Sequence, residues 1–487
     1  MVRMGTDKVD ARTLASLLGR WSSGRGPLYL LLAGRLRRLI EEGTLRAGAV
    51  LPPDRVLASA LAVGRTTVVA AYEELRGEGR IERRQGSGTR VAEAVPLPPA
   101  AEEGPVNPMF LQLLEPQDGT VVLSCAAPEE PPPEVARAYG ELSLPSAVDL
   151  GYHPAGLARL RRAVAAKYTA QGVPTAPEQV LVTTGAQQAL SLLVEHLVAP
   201  GDGALVEAPT YAGALDVLRA SGAALMPVAT GPEGLDVARA VRLMAERRPV
   251  LAYTVPNHHN PTGSVLPPLA ARRLVRAAAQ YGVVLVDDAV AADLSLDGSP
   301  APPPLAAYGE AVTVGSLSKV AWGGLRVGWL RAREELVARL TRLKSMRDLG
   351  GEVGSQLVAA ALLEDYQQVR GRRIAELRAG HDLLLEEMGR RLPEWECPPA
   401  AGGQTVWARL PRGDAASFAQ VAIRHGVAVL PGPAIDASGG SRDRLRLPFS
   451  PAPDRLAEGV RRLAEAWNAY TAPKGAPRSV SLGAVVV

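Results

Sequence analysis

Ser316, Ser318 and Lys319 stand in the string Ser-Leu-Ser-Lys, and Arg326 follows the lysine seven residues later inside Gly323-Gly324-Leu325-Arg326-Val327-Gly328. An amine able to condense with a carbonyl, hydroxyls that donate to phosphate oxygens and a guanidinium with a two-pronged fork suit a phosphorylated aldehyde. Pyridoxal phosphate is the cofactor of that description. The string alone is weak, because lysines beside serines are common on surfaces. Its weight comes from companions upstream.

Leu285-Val286-Asp287-Asp288 closes an apolar run that starts at Val283, the pattern of a buried parallel strand ending at a carboxylate. Open α/β sheets bind ligands at such strand ends. A carboxylate at Asp287 would keep a pyridine nitrogen protonated and its ring an electron sink; Asp288 is the second candidate. The ordinary alternative is that Asp287 caps the next helix. Val180 to Thr183 is a β-branched run that passes through Gly185 into a helical pattern at Ala186 and Gln187, where backbone amides at a helix start suit phosphate oxygens. Tyr211 could stack on a flat ring, and Asn260, in His259-Asn260-Pro261-Thr262-Gly263, could donate to a phenolic oxygen. Taken singly, each of these also has an ordinary structural use.

In this order and spacing the segments resemble the fold-type I aminotransferases, over roughly residues 121–472. The resemblance implies an α/β large domain with a smaller α+β C-terminal domain, and pyridoxal phosphate as cofactor. It makes Lys319 the catalytic lysine of the internal aldimine, pairs Asp287 with the pyridinium, sets Asn260 on the ring hydroxyl and lays Tyr211 over the ring. Gly185, Ala186, Gln187, Ser316, Ser318 and Arg326 would hold the phosphate. Arg446, in Asp443-Arg444-Leu445-Arg446-Leu447-Pro448-Phe449, resembles the arginine that clamps a substrate carboxylate. Tyr152, in Gly151-Tyr152-His153-Pro154-Ala155-Gly156, resembles a tyrosine that reaches the partner subunit's phosphate, which implies a homodimer. One departure stands out: the family places a tyrosine two or three positions after the acid, and here those positions are Ala289 and Val290. With Asn260 left as the donor to the ring oxygen, cofactor binding is expected to survive better than turnover.

The N-terminal part carries a second signature. Leu28, Leu31, Leu32, Leu36, Leu39 and Ile40 recur at helical spacing up to Glu42-Gly43. A second helix is expected from Pro53-Asp54 to Leu61, a turn at Ala62-Val63-Gly64, a third helix from Arg65 to Leu75, and a β-hairpin over Ile81 to Val91. Together they make a winged helix-turn-helix. Residues 1–90 hold 16 Lys/Arg against 9 Asp/Glu, a surplus of seven, which leaves minus three for the remainder of a chain of net charge +4. Positive charge is thus concentrated where nucleic acid would dock. A basic helical module that binds protein instead is the bland alternative.

Leu51-Pro52-Pro53-Asp54-Arg55, Val63-Gly64-Arg65-Thr66-Thr67 and Gly86-Ser87-Gly88-Thr89 are similar to the GntR winged-helix family. The resemblance implies operator contacts at Arg55, Arg65 and Gly88, with Thr66 and Thr67 beside them at the start of the recognition helix. A GntR reader ahead of an aminotransferase-like domain is the arrangement of the MocR subfamily of bacterial transcription regulators. The expected division is an extension over 1–24, the reader over 25–92, a proline- and alanine-rich linker over 93–120, the cofactor domain over 121–472 and a tail over 473–487. The expected function is regulation of transcription through operator DNA, with an amine or amino-acid effector, or the cofactor itself, sensed at Lys319 and little or no steady-state transamination. An active aminotransferase with a vestigial reader is the alternative, and a regulator that has lost the cofactor is a third reading.

The 487 residues and 47% apolar content allow several domains with a large core. No apolar run approaches a membrane span, and the polar start from Met1 to Asp10 does not look like a signal peptide, so a cytoplasmic protein is expected. Two cysteines, Cys125 and Cys397, do not make a disulfide framework. The six histidines include one adjacent pair, His258 and His259, whose rings an extended loop would point apart, so no metal site is expected.

Overall fold

The computed structural model describes residues 8–19, 21–22, 27–84, 88–92, 119–143 and 149–472. The expected linker, apart from its last two residues, and the whole of the expected tail lie outside these.

The reader is built from α1 (Ala11–Leu18), α2 (Leu28–Glu41), β1 (Val50–Leu51), α3 (Asp54–Ala60), α4 (Arg65–Gly77), β2 (Ile81–Arg84) and β3 (Gly88–Val91). Its three strands run in the order β1-β3-β2, all antiparallel. The apolar stripe of α2 buries Leu32, Leu36, Leu39 and Ile40 against Val68, Ala71 and Leu75 of α4. Helix α1 starts ahead of the expected reader boundary, yet Leu14, Leu18 and Trp21 are part of the same core. Asp10 begins it by accepting from the backbone N–H groups of Arg12 and Thr13.

The large domain contains β5 (Val180–Thr183), β6 (Gly203–Ala208), β7 (Ala224–Gly231), β8 (Gly234–Leu235), β9 (Leu251–Thr254), β10 (Val284–Asp288), β11 (Val312–Ser316) and β12 (Gly328–Arg331). They form one sheet in the order β5-β12-β11-β10-β9-β6-β7-β8, parallel except at β12 and β8. Its helices are α5 (Pro133–Gly140), α6 (Ala158–Ala170), α7 (Ala186–Leu197), α8 (Ala212–Ala220), α9 (Val237–Arg247), α10 (Pro268–Tyr281), α11 (Glu334–Asp348) and α12 (Val353–Glu364). One apolar cluster joins α7, α8 and α11 to the sheet, and another joins α9 and α10 to it. Strands buried on both faces explain the near-continuous apolar runs of β5, β9 and β10.

The smaller domain follows the long helix α13 (Tyr366–Arg391) and holds β13 (Thr405–Arg409), α14 (Ala415–Arg424), β14 (Val427–Pro431), β15 (Arg444–Pro448) and α15 (Pro453–Thr471). Its sheet runs β13-β15-β14-β4, the last strand, β4 (Val121–Leu123), coming from the start of the aminotransferase-like region. Trp395, Phe418 and Trp467 pack edge to face behind it.

The reader rests on α14. Arg424 donates to the carbonyls of Leu61 (3.3 Å) and Ala62 (3.0 Å), at the turn between α3 and α4. Beside it the Ser417 hydroxyl donates to Ser59 O (3.4 Å) and Arg12 pairs with Asp414 (3.3 Å).

Candidate cofactor site and reader face

The sheet positions the first group of residues. Asp287 lies near the C-terminal end of β10, Ser316 ends β11, and Lys319 follows in the next loop. The Lys319 Nζ donates to Ala126 O at 2.6 Å. Burial, assisted by the Arg446 and Arg373 charges, lowers its pKa against the opposing pull of Cys125 and Asp288. A lowered ammonium pKa raises the fraction of free amine, the form that attacks a carbonyl.

Asp287 is fully buried. Its Oδ2 accepts from Leu305 N at 2.8 Å, while its Oδ1 has no partner among the described residues. Burial pushes its pKa up to about 7; the Leu305 bond opposes this, and the neighbouring Asp288 and Glu207 add to it. A buried carboxylate with an orphan oxygen needs a cation or donor. Asp288 differs: its oxygens accept from Tyr253 Oη at 2.5 Å and from Val290 N at 3.1 Å.

At the start of α7, Gly185 sits at φ +119° and supplies no side-chain cap, so the first amides of the helix face outward without one. Arg326 reaches across to donate to Thr184 O at 2.6 Å. The Ser316 and Ser318 hydroxyls are 2.7 Å apart, and Ser316 also donates to Val327 O at 3.0 Å. Gly328 of β12 backs the cradle so closely that a Cβ there would lie 2.6–2.8 Å from the Gly185 and Ala186 backbone. Gln187 donates to Gly213 O at 3.0 Å and so points away from the cradle; only its backbone amide is available. Amides at a helix start, two hydroxyls and a guanidinium make a phosphate-binding donor set.

Tyr211 begins α8, and burial raises its phenol to about 12. Asn260 follows the backbone of β9, in a loop with a cis Asn260–Pro261 bond. Its Oδ1 accepts from Arg446 Nη1 at 3.4 Å, and its Nδ2 makes no hydrogen bond among the described residues. Arg446, only 3% exposed on β15, also donates to Ser124 O, and its Nε has no partner among the described residues. Burial lowers its pKa to about 10. An arginine buried with an unused N–H fits a carboxylate.

Lys319, Asp287, Asn260, Tyr211, Arg446 and the α7 cradle therefore line the sheet's end and the face of the smaller domain turned to it. Tyr152 is not part of this group within one chain; it is 66% exposed. Ala289 and Val290 bring no hydroxyl, and the Tyr253 hydroxyl, which reaches Asp288 from β9, is engaged there.

Sequence reasoning missed the loop after β4. Ser124 and Ala126 supply the carbonyls that hold Arg446 and Lys319. It also missed the support of the Asn260 loop, where buried Glu207 lies 3.3 Å from His259 Nε2 and accepts from Val255 N at 2.6 Å. His259 Nδ1 in turn meets the Thr262 hydroxyl at 2.9 Å. The adjacency of His259 to Asn260 was the available signal.

On the reader, Arg55 near the start of α3 and Arg65 and Thr66 at the start of α4 are exposed, with Thr67 half-buried. Asp54 joins the two helices: it accepts from Arg55 N at 2.9 Å and from Arg65 Nε at 2.7 Å. The Arg65 bond holds its pKa below the usual carboxylate range. Gly88 opens β3 at the hairpin.

Residues 123–463 match the family model described as aminotransferase class I and II, and residues 28–91 match that of the bacterial regulatory proteins, gntR family. The chain is 32% identical over 342 residues to 2-aminoadipate transaminase of Thermus thermophilus, covering 68% of this chain and 83% of that protein. It is 31% identical over 398 residues to the probable rhizopine catabolism regulatory protein MocR of Rhizobium meliloti, covering 76% and 78%. With the HTH-type transcriptional regulator TauR of Rhodobacter capsulatus it shares 28% over 477 residues, 89% of this chain and 96% of that one. Among solved structures, the α-aminoadipate aminotransferase LysN of Thermus thermophilus, complexed with N-(5'-phosphopyridoxyl)-L-leucine, superposes with a TM-score of 0.68 at 31% identity, over 74% of this chain and 95% of that one.

Proposed function

Because this chain belongs to the aminotransferase class I and II family and carries a gntR-type DNA-binding module ahead of that domain, we propose that it is a transcription regulator that reads operator DNA and senses an amine at a pyridoxal phosphate site. The observation that carries the reading is the orphan Oδ1 of buried Asp287, on a sheet whose strands β11 and β5 lead into Lys319 and into the uncapped start of α7. When bound, pyridoxal phosphate supplies an aldehyde that takes up primary amines and a ring that withdraws electrons. Lys319 provides the attacking amine, and Asp287 holds the proton on the ring nitrogen. Ser316, Ser318, Arg326 and the Gly185–Gln187 amides hold the phosphate, while Tyr211 covers the ring.

Arg446, with its unused Nε, favours effectors that carry a carboxylate as well as an amine. The tyrosine absent at Ala289 and Val290 weakens support of the ring oxygen, which favours sensing over rapid turnover. Exposed Tyr152 supports a homodimer in which it reaches the partner's site. Arg55, Arg65, Thr66, Thr67 and Gly88 form the DNA-reading face. No helix among the described residues is long and apolar enough to cross a membrane; the cytoplasm, where the chromosome lies, is the proposed compartment.

Titrating the purified chain with pyridoxal phosphate should produce a visible absorbance band that Lys319→Ala abolishes without weakening DNA binding. A chain that stays colourless once excess cofactor has been dialysed away overturns the reading. Sustained conversion of amino acids to keto acids would move it to the enzymes.

A further inference from the structure

Outside the reader, one face of the large domain carries a row of arginines without acidic partners among the described residues. Helices α9 and α10 lie side by side on the outer surface of the large domain and expose Arg239, Arg242, Arg272, Arg273 and Arg276. Arg247 and Arg248, also exposed, extend the row at the end of α9. None of the seven has an ion-pair partner among the described residues; Arg272 lies over the Tyr308 ring at 5.6 Å. Residues 232–281 hold seven Arg, no Lys and three Asp/Glu, and of those acids Asp236 is engaged in capping α9. The stretch is therefore +4, within a region after residue 90 that sums to minus three. Between the helices runs a groove of about 420 Å³, its rim formed by Arg272, Arg273 and Arg276.

Elsewhere in the domain several exposed arginines pair with acids, as Arg159 does with Glu364, Arg333 with Glu310 and Arg347 with Glu195, whereas all seven here lack such a partner among the described residues. Unpaired guanidiniums on two adjacent helices repel one another, and a polyanion laid across them relieves that repulsion and releases its own counterions. We propose that the α9–α10 face is a second, sequence-independent docking surface for DNA, gripping the backbone of duplex that continues beyond the reader. The occupant is fixed by charge complementarity and by the reader in the same chain, so the proposal rests on the DNA-binding part of the functional reading. No base edge is read here: the arginines lie on helix flanks, and their role is to neutralise phosphates.

Full-length protein loaded with pyridoxal phosphate is titrated with labelled mixed-sequence duplexes of about 20 and about 60 base pairs over a range of salt. The longer duplex should bind more tightly per site, with a steeper fall of log K against log salt. The quadruple variant Arg239→Glu, Arg242→Glu, Arg273→Glu, Arg276→Glu should flatten that slope by about 0.9 for each phosphate no longer neutralised and weaken the long duplex at least about tenfold near 0.1 M salt. The short duplex should change little. The milder quadruple Gln variant should fall between, and the cofactor's absorbance serves as the control for folding. Unchanged affinity and slope in a folded charge-reversed variant overturns the proposal. So does polyglutamate binding as tightly as the duplex at this face, which would make it a dock for an acidic protein. Arg65→Ala, titrated against an operator duplex, separates the two claims: if operator affinity is unaffected the reader assignment fails, whereas weakening of the long mixed-sequence duplex confined to the α9–α10 variants leaves the second surface standing.

Discussion

Asp287 illustrates how one side chain reports on its missing partner. Unfolded, its carboxyl ionises in the usual range; folded and without cofactor, it does so only near pH 7. Between those values the unfolded chain binds fewer protons than the folded one, so this residue subtracts stability as pH rises from about 4 to about 7, and the deficit stays constant above. Asp287→Asn should therefore stabilise the cofactor-free protein at pH 8 by up to about 4 kcal/mol and change it little at pH 4, as read by thermal unfolding at the two pH values. In the cofactor-loaded protein the same substitution should weaken binding. On the reader, Arg65→Ala should cost roughly 1–3 kcal/mol of operator affinity, measured by fluorescence anisotropy, if the guanidinium meets a base edge. Asp54→Ala should cost less, since it only aims that guanidinium through the 2.7 Å bond. Lysine, aspartate and arginine were legible in the sequence because their chemistry is tied to motifs with fixed spacing. Glu207, whose carboxylate supports the Asn260 loop from 53 residues away, has no such motif.

At the scale of elements, periodicity served where a helix has one buried face, as in α2 and α4, and where a strand is buried on both, as in β5 and β10. It could not announce β4, three residues that gain meaning only by pairing with Val427–Val429 some 300 positions later. Helix α1 was open to reading from its Asp10 cap and the Leu14–Leu18 spacing, yet its eight residues are short for a pattern to stand out. Leu14→Ala should destabilise the reader by about 2–5 kcal/mol, visible in chemical denaturation, because it opens a cavity in a fully buried position. Gly328→Ala tests the crowding of β12 against α7: a Cβ within 2.6–2.8 Å of the Gly185 and Ala186 backbone must push the helix start aside. Cofactor affinity should fall at least about tenfold by absorbance titration, on the order of 1.4 kcal/mol or more.

For the whole molecule, the division into reader and cofactor domain was visible in charge and motif order, but their meeting place was not, since hydrogen bonds from Arg424 to two turn carbonyls leave no trace in local sequence. Arg424→Ala removes two charge-assisted hydrogen bonds, together about 1.5–3 kcal/mol, and amide exchange over Leu61–Gly64 should accelerate about tenfold or more. The cofactor band should be unmoved. Arg424 ends α14, β14 starts three residues on, and Leu430 of β14 sits opposite Arg446 in the sheet. We expect a displacement of the Arg446 guanidinium to reach, through β14 and the turn at Gly426, the Arg424 contacts at the bend ahead of α4. A signal travelling that way would bypass residues 93–118 altogether, so lengthening that stretch of chain should leave the response to effector intact.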